Sequence, residues 1–136
     1  MERNKQAAVR IAAASSDGVT VDRHFGHADV FSILEAAADG ASFTEVERRK
    51  VSPPCQHGHH EAAAMEAVVA ALGDCRYVLA EAIGRVAAAH LAASGITPLE
   101  TEDTMTIAAA AEDVLAYERR QRRLHSTPFR GQNQTS

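Results

Sequence analysis

A chain of 136 residues with 14 Lys and Arg against 18 Asp and Glu carries a formal charge of −4. That sign excludes a broad phosphate-binding surface, and an aromatic content of 4% with no Trp excludes a base-stacking platform, so nucleic acid is not an expected partner. The hydrophobic share of 46%, much of it alanine, suits one closely packed core, and no apolar run approaches the ~20 residues that cross a bilayer.

Met1–Gln6 is polar and no apolar signal segment follows, and Cys55 and Cys75 make no disulfide framework; both features point to the cytoplasm. AAVRIAAA (7–14) is a nearly continuous apolar run and predicts a buried strand. SSDG (15–18) supplies turn chemistry, VTV (19–21) is short and extended, and a loop with His24 and His27 follows. DVFSILEA (29–36) reads as a strand, ADGA (38–41) as an Asp-Gly hairpin turn, and SFTEVERRKV (42–51) as a polar-faced strand returning towards a sheet edge. Pro53 and Pro54 exclude a helix at that point. A helix is expected to start near His59 or His60, with Met65, Val68, Val69 and Leu72 as its apolar stripe and Gly73 as its cap. CRYVLA (75–80) predicts another buried strand, Gly84 to Ser94 a second helix stopped by Gly95, ITPLE (96–100) a short strand, and 105–124 a third helix. The basic run ERRQRRLH (118–125) reads as a solvated face near that helix's end. Residues 7–124 thus form a single domain and 125–136 a flexible polar tail. An antiparallel hairpin unit followed by βαβ units predicts a mixed α/β sheet covered by about three helices.

Cys55, His57, His59 and His60 fall within six positions, and with His24 and His27 they are the densest set of soft and borderline metal ligands in the chain. Thiolate and imidazole suit zinc, copper, iron and iron–sulfur clusters. Pro53 and Pro54 stiffen the loop and Gly58 frees it, as convergence of side chains on one point requires. There is no second C-x-x-C and no Cys₂His₂ pattern, so a polar loop with adventitious metal affinity is the structural alternative. Glu61 is either an oxygen ligand or a first-turn acid favoured by the helix dipole. Cys75 reads as a small buried hydrophobe, His90 as a packed or exposed helix residue, His125 as part of the tail, and Asp17, Asp22 and Asp29 as turn and loop residues. No G-x-S-x-G, P-loop or Rossmann glycine motif occurs, and no nucleophile has a base and an orienting group, so no enzyme is expected.

VDRHFGHADVFSI after the first strand, then the Cys/His loop, then DCRYVLAEAIGRVAAAHLAASGITPLE, resembles the dinitrogenase iron–molybdenum cofactor-binding family. Its members include the carriers NifX and NafY and the C-terminal domain of NifB. The resemblance covers roughly Ala8 to Leu115. It implies a ribonuclease-H-like α/β fold with a mixed five-stranded sheet. It also implies reversible binding of an iron–molybdenum cofactor or its iron–sulfur precursor, with nitrogenase assembly proteins as donor or acceptor. The family's cofactor histidine falls on His24 first and His27 second, with Cys55, His57, His59 and His60 as further cofactor or metal ligands. Arg23 would offset negative charge on a cluster. The chain has no radical-SAM cysteine motif, so it would not itself build a cluster.

Two other functions compete. One is a mononuclear metal-binding or metal-sensing protein that holds zinc or another divalent ion in the Cys55–His60 loop. The other is a nuclease, which would need several carboxylates around two Mg²⁺ ions, and the expected strands carry few.

Overall fold

The computed structural model describes residues 9–36, 42–53, 62–101 and 105–126. The elements run β1 (Arg10–Ala14), β2 (Thr20–Val21), β3 (Val30–Ala36), β4 (Phe43–Lys50), α1 (Ala62–Ala71), β5 (Tyr77–Ala80), α2 (Arg85–Ala93), β6 (Thr97–Glu100), β7 (Met105–Thr106) and α3 (Ile107–Ser126). Five strands form one sheet in the order β4-β3-β1-β5-β6, and β2 pairs with β7 in a second, two-stranded sheet. The pairs β4/β3 and β3/β1 are antiparallel, whereas β1/β5 and β5/β6 are parallel. The mixed α/β sheet with three helices expected from the sequence is therefore present.

β1 has neighbours on both edges and a packed layer on each face, so nothing in Ile11–Ala14 reaches solvent. Alternation sends Ala12 and Ala14 to one core, with Phe31, Ile33, Met65, Val68, Val69, Leu72, Val78 and Leu91. Ile11 and Ala13 enter the other core, with Leu34, Tyr77, Leu79, Ala111, Val114 and Leu115. Thus α1 and α2 cover one face and α3 the other. Met65, Val68, Val69 and Leu72, the stripe read from the sequence, are all buried. Gly84 is the N-cap of α2, and Gly95 follows that helix at φ 81°, a conformation only glycine adopts without strain.

β4 is an edge strand, and its charged sequence FTEVERRK keeps that edge solvated. Ile33 faces Glu47 while Leu34 faces Glu45, so Val46 is the extra residue of a β-bulge. At the other edge, the Thr97 and Thr101 N–H groups donate inward to Arg76 and Ala80, which places Pro98 where a missing N–H costs no ladder bond.

Three expectations need correction. The third helix begins at Ile107, because Met105 and Thr106 are drawn into pairing with Val21 and Thr20. It runs to Ser126, two residues beyond the expected end at Leu124 and into the segment read as tail. Glu118 is not a solvated charge; only 6% of it is exposed. It continues the inward stripe of α3 after Val114 and Leu115, and its carboxylate accepts hydrogen bonds from the Tyr77 hydroxyl and from Arg76. Burial and that carboxylate together raise the Tyr77 pKa. The Asp-Gly turn at 38–41 lies outside the described residues, although the strands on either side of it pair as a hairpin would.

Far from the histidine loop, Asp74 ties three elements together. Arg49 of β4 donates to Asp74, to Glu47 and to the Ala71 carbonyl at the end of α1, and Arg10 of β1 donates to Asp74 and Glu35. Arg49, assisted by Arg10, holds the Asp74 carboxyl well below the usual carboxylate range. A depressed carboxylate contributes stability that is complete above its unfolded pKa and fades as pH falls through the folded value. Asp74→Asn should lower stability at neutral pH by about 1 kcal/mol, a figure discounted for the group's exposure. In acid titrations of thermal unfolding, the gap between wild type and variant should begin to narrow below about pH 4 and keep shrinking as pH falls towards the lower folded value. A gap that stays constant down to pH 2 would show that the charge of Asp74 contributes nothing.

Candidate functional site

At the carboxyl end of β1 the chain must turn out of the sheet, and short polar side chains shape the exit. Asp17 Oδ1 accepts from the Val19 and Thr20 N–H groups and from Ser15 Oγ. The Thr20 and Val19 N–H groups lower its pKa by stabilising the charged form. Asp22 accepts from both the N–H and the hydroxyl of Ser16, while its own N–H returns to the Ala14 carbonyl. Gly18 has φ 77°, a left-handed conformation that favours glycine, and the tip of the Arg48 side chain lies over it. Asp17 and Asp22 thus serve the turn, as their sequence context suggested.

The histidine loop follows. Phe25 is fully buried and its ring centroid lies 5.8 Å from that of Phe31. Residues Phe25–His27 form a single 3-10 turn, closed by the His27 N–H on the His24 carbonyl. His24 makes a parallel β-bridge with Ala82; around it Phe25 N–H donates to Ala82 and Glu81 N–H donates to Arg23, both at 2.9 Å. The loop is thereby an extension of the β1–β5 pairing beyond the ends of both strands. A buried residue fixed between two exposed ones makes the histidines project: the His24 side chain is 59% exposed, and the two ring centroids are 6.4 Å apart. His24 Nε2 lies 3.9 Å from Glu81 Oε1, beyond hydrogen-bond reach.

Directly after the turn at 81–84, α2 begins. Its N-cap Gly84 offers no side-chain acceptor to the first-turn N–H groups, and Arg85 is exposed there. The histidine loop and this helix start meet outside the carboxyl ends of β1, β5 and β6, where open α/β sheets bind ligands. Two imidazoles, with Arg23 and Arg85 on the same two segments, offer metal ligands and positive charge but no nucleophile paired with a base.

His24, His27 and Arg23 are therefore brought to one exposed loop. Cys55, His57, His59, His60 and Glu61 lie outside the described residues. His90 is half-buried in the last turn of α2. Among the described residues no three His, Cys, Asp or Glu side chains converge to hold a metal ion. A groove of about 450 Å³ lies elsewhere, between β6 and α3, and its lining of Leu79, Leu99, Met105, Val114 and Tyr117 includes none of the expected site residues. Sequence reading missed Glu81, beside His24, and Glu100, whose carboxylate accepts the Ile83 N–H at 2.7 Å. Neither carries a local motif; both matter through strands that meet only in the folded sheet.

A small α/β chain that presents a histidine loop where its parallel strands end is the class that fold and site define. The chain matches the family described as dinitrogenase iron-molybdenum cofactor over residues 7–117, and it belongs to that family. Protein NifX of Sinorhizobium fredii is 30% identical over 132 residues, covering 94% of this chain and 78% of that protein. Protein NifX of Rhodobacter capsulatus is 32% identical over 108 residues, covering 78% and 67%. The FeMo cofactor biosynthesis protein NifB of Sinorhizobium fredii is 36% identical over 98 residues, but this chain spans only 20% of its length. A solved structure described as the crystal structure of PH0822 shares the fold, with a TM-score of 0.58 at 22% identity over 79% of this chain and 91% of that one. Among the described residues no helix is long and apolar enough to cross a membrane.

Cys75 contrasts with the exposed loop. It is buried in the turn before β5, where burial and the adjacent Asp74 charge push its thiol up to about 12. Thiolate is the reactive form. In a Cys55→Ser variant, where Cys75 is the remaining cysteine, an aromatic disulfide reagent should label native protein negligibly at pH 8 and fully in denaturant. Rapid labelling of the native protein would show that Cys75 is open to solvent.

Proposed function

We propose that this chain is a non-catalytic carrier that binds an iron–molybdenum cofactor, or an iron–sulfur precursor of it, during nitrogenase cofactor biosynthesis. The observation that carries this is the placement of His24: exposed, held by backbone bonds on both sides, and set beside the start of a helix, in a chain of the iron-molybdenum cofactor family. The named relatives NifX and NifB support the biosynthetic role. A metal–sulfur cluster with net negative charge gains from imidazole ligation and from nearby positive charge, and the uncapped N–H groups of α2 with Arg23 and Arg85 supply the latter. A carrier must also release its cargo. One or two imidazoles on an open loop suit that better than a closed four-ligand site.

In this proposal His24 is the principal ligand, His27 the second, and Arg23 a charge partner. Cys55, His57, His59 and His60 are further candidate ligands. Nitrogenase assembly proteins in the cytoplasm deliver the cargo or accept it.

The test is anaerobic loading with isolated cofactor, followed by gel filtration and metal analysis. His24→Ala should retain at least tenfold less molybdenum than wild type, a loss of roughly 1.4 kcal/mol or more in binding. His27→Ala should lose less. Because the His24 side chain is exposed, His24→Ala should change folding stability by about 0.5 kcal/mol or less. Full retention by His24→Ala would contradict the assignment.

A further inference from the structure

Two backbone hydrogen bonds hold the histidine loop against the turn from Glu81 to Gly84: Glu81 N–H to Arg23 and Phe25 N–H to Ala82. That turn has left β5, and of the strand pairing only the bridge between His24 and Ala82 reaches it. The Ile83 N–H is taken by a carboxylate oxygen of Glu100, the last residue of β6, at 2.7 Å. Glu100 itself is anchored, because the following Thr101 N–H donates to the Ala80 carbonyl. Ile83 is only 8% exposed and packs into the core on the α1/α2 face. Its side chain fixes one side of the turn and the Glu100 carboxylate fixes the other.

We propose that Glu100 is a positioning residue for the cofactor site: its carboxylate locks the Glu81–Gly84 turn, and the turn in turn sets where His24 stands relative to the start of α2. The inference rests on the assignment of His24 as cargo ligand made above. Glu100 acts through Ile83 and Ala82 and not on the cargo. What the turn requires is a hydrogen-bond acceptor at one point, not a charge. A glutamine carbonyl oxygen can accept from Ile83 N–H at the same reach, whereas alanine has nothing to offer. The charge is if anything unfavourable, because an anionic cargo beside α2 would be repelled by it.

The experiment compares wild type, Glu100→Ala, Glu100→Gln and His24→Ala in two measurements. The first is amide hydrogen exchange on cargo-free protein, read at Phe25 and Ile83 and, as a control, at Val78 and Leu79 in β5. The second is anaerobic retention of isolated iron–molybdenum cofactor. Glu100→Ala should lower protection at Phe25 and Ile83 by about tenfold, the upper scale of one lost hydrogen bond, and leave β5 protected. Its cofactor retention should fall in parallel. Glu100→Gln should keep both the protection and at least wild-type retention, a rescue that a role for the charge would not give. Unchanged exchange at Phe25 in Glu100→Ala would overturn the proposal, as would a Glu100→Gln variant as impaired as Glu100→Ala. Full retention by His24→Ala would overturn the site assignment, and with it any part for Glu100 in binding. That failure is distinguishable, because the exchange measurement involves no cargo.

Discussion

The rest of the structure depends on β1, a strand of small apolar residues paired on both edges and covered on both faces. Ala12, Ala13 and Ala14 leave little side-chain volume at the centre of the sheet. That lets α1 and α2 approach one face, and α3 the other, closely enough to exclude water. A larger residue at any of the three would overpack a site with no room to relax, at a cost of about 1–3 kcal/mol. The strand also fixes the sheet's direction. Its antiparallel partner β3 continues to an edge, and its parallel partner β5 starts the βαβ half. All loops that leave β1 and the parallel strands at their carboxyl ends therefore gather in one place, and the histidine loop, between β2 and β3, is joined to them by its bridge to Ala82.

Exposure of a ligand and rigidity of its loop are usually in conflict, and here they are reconciled by alternation. Phe25 and Ala28 are buried, and the intervening and preceding residues face out. Burying a phenylalanine contributes about 1.5–3 kcal/mol, enough to hold a four-residue turn against its own conformational entropy only with help from the backbone bonds to the Ala82 carbonyl and from the Glu81 N–H. His24 is thus accessible without being on a freely moving segment. In the proposed carrier, binding would then lose less conformational entropy than on a floppy loop, and release would need no unfolding of the core.

Much of this architecture was legible in the sequence because local signals agreed with one another. The apolar run at 7–14, the stripe Met65, Val68, Val69 and Leu72, and the glycines at 84 and 95 each specify their element from nearby residues alone. What sequence reading misplaced depended on distant partners. Met105 and Thr106 look like the first turn of a helix until β2 offers them a strand to pair with. Glu118 sits in a basic run and looks solvated, yet Tyr77 and Arg76, more than forty positions earlier, supply the partners that make its burial tolerable. At the site, His24 and His27 stood out as residue types in a recognisable phrase. Glu81 and Glu100 did not, since a carboxylate at a strand end has no signature until the sheet brings it to a backbone N–H.

In the proposed carrier, cargo rests directly on the imidazole of His24, presented by a fold that needs no metal of its own. X-ray absorption at the iron and molybdenum edges of anaerobically loaded protein tests this most directly. The wild type should show an imidazole scattering shell that is weaker by the contribution of His24 in any residual cluster bound to His24→Ala, with both apo-proteins folded. Identical spectra from wild type and His24→Ala, or an apo-protein that is unfolded, would contradict it.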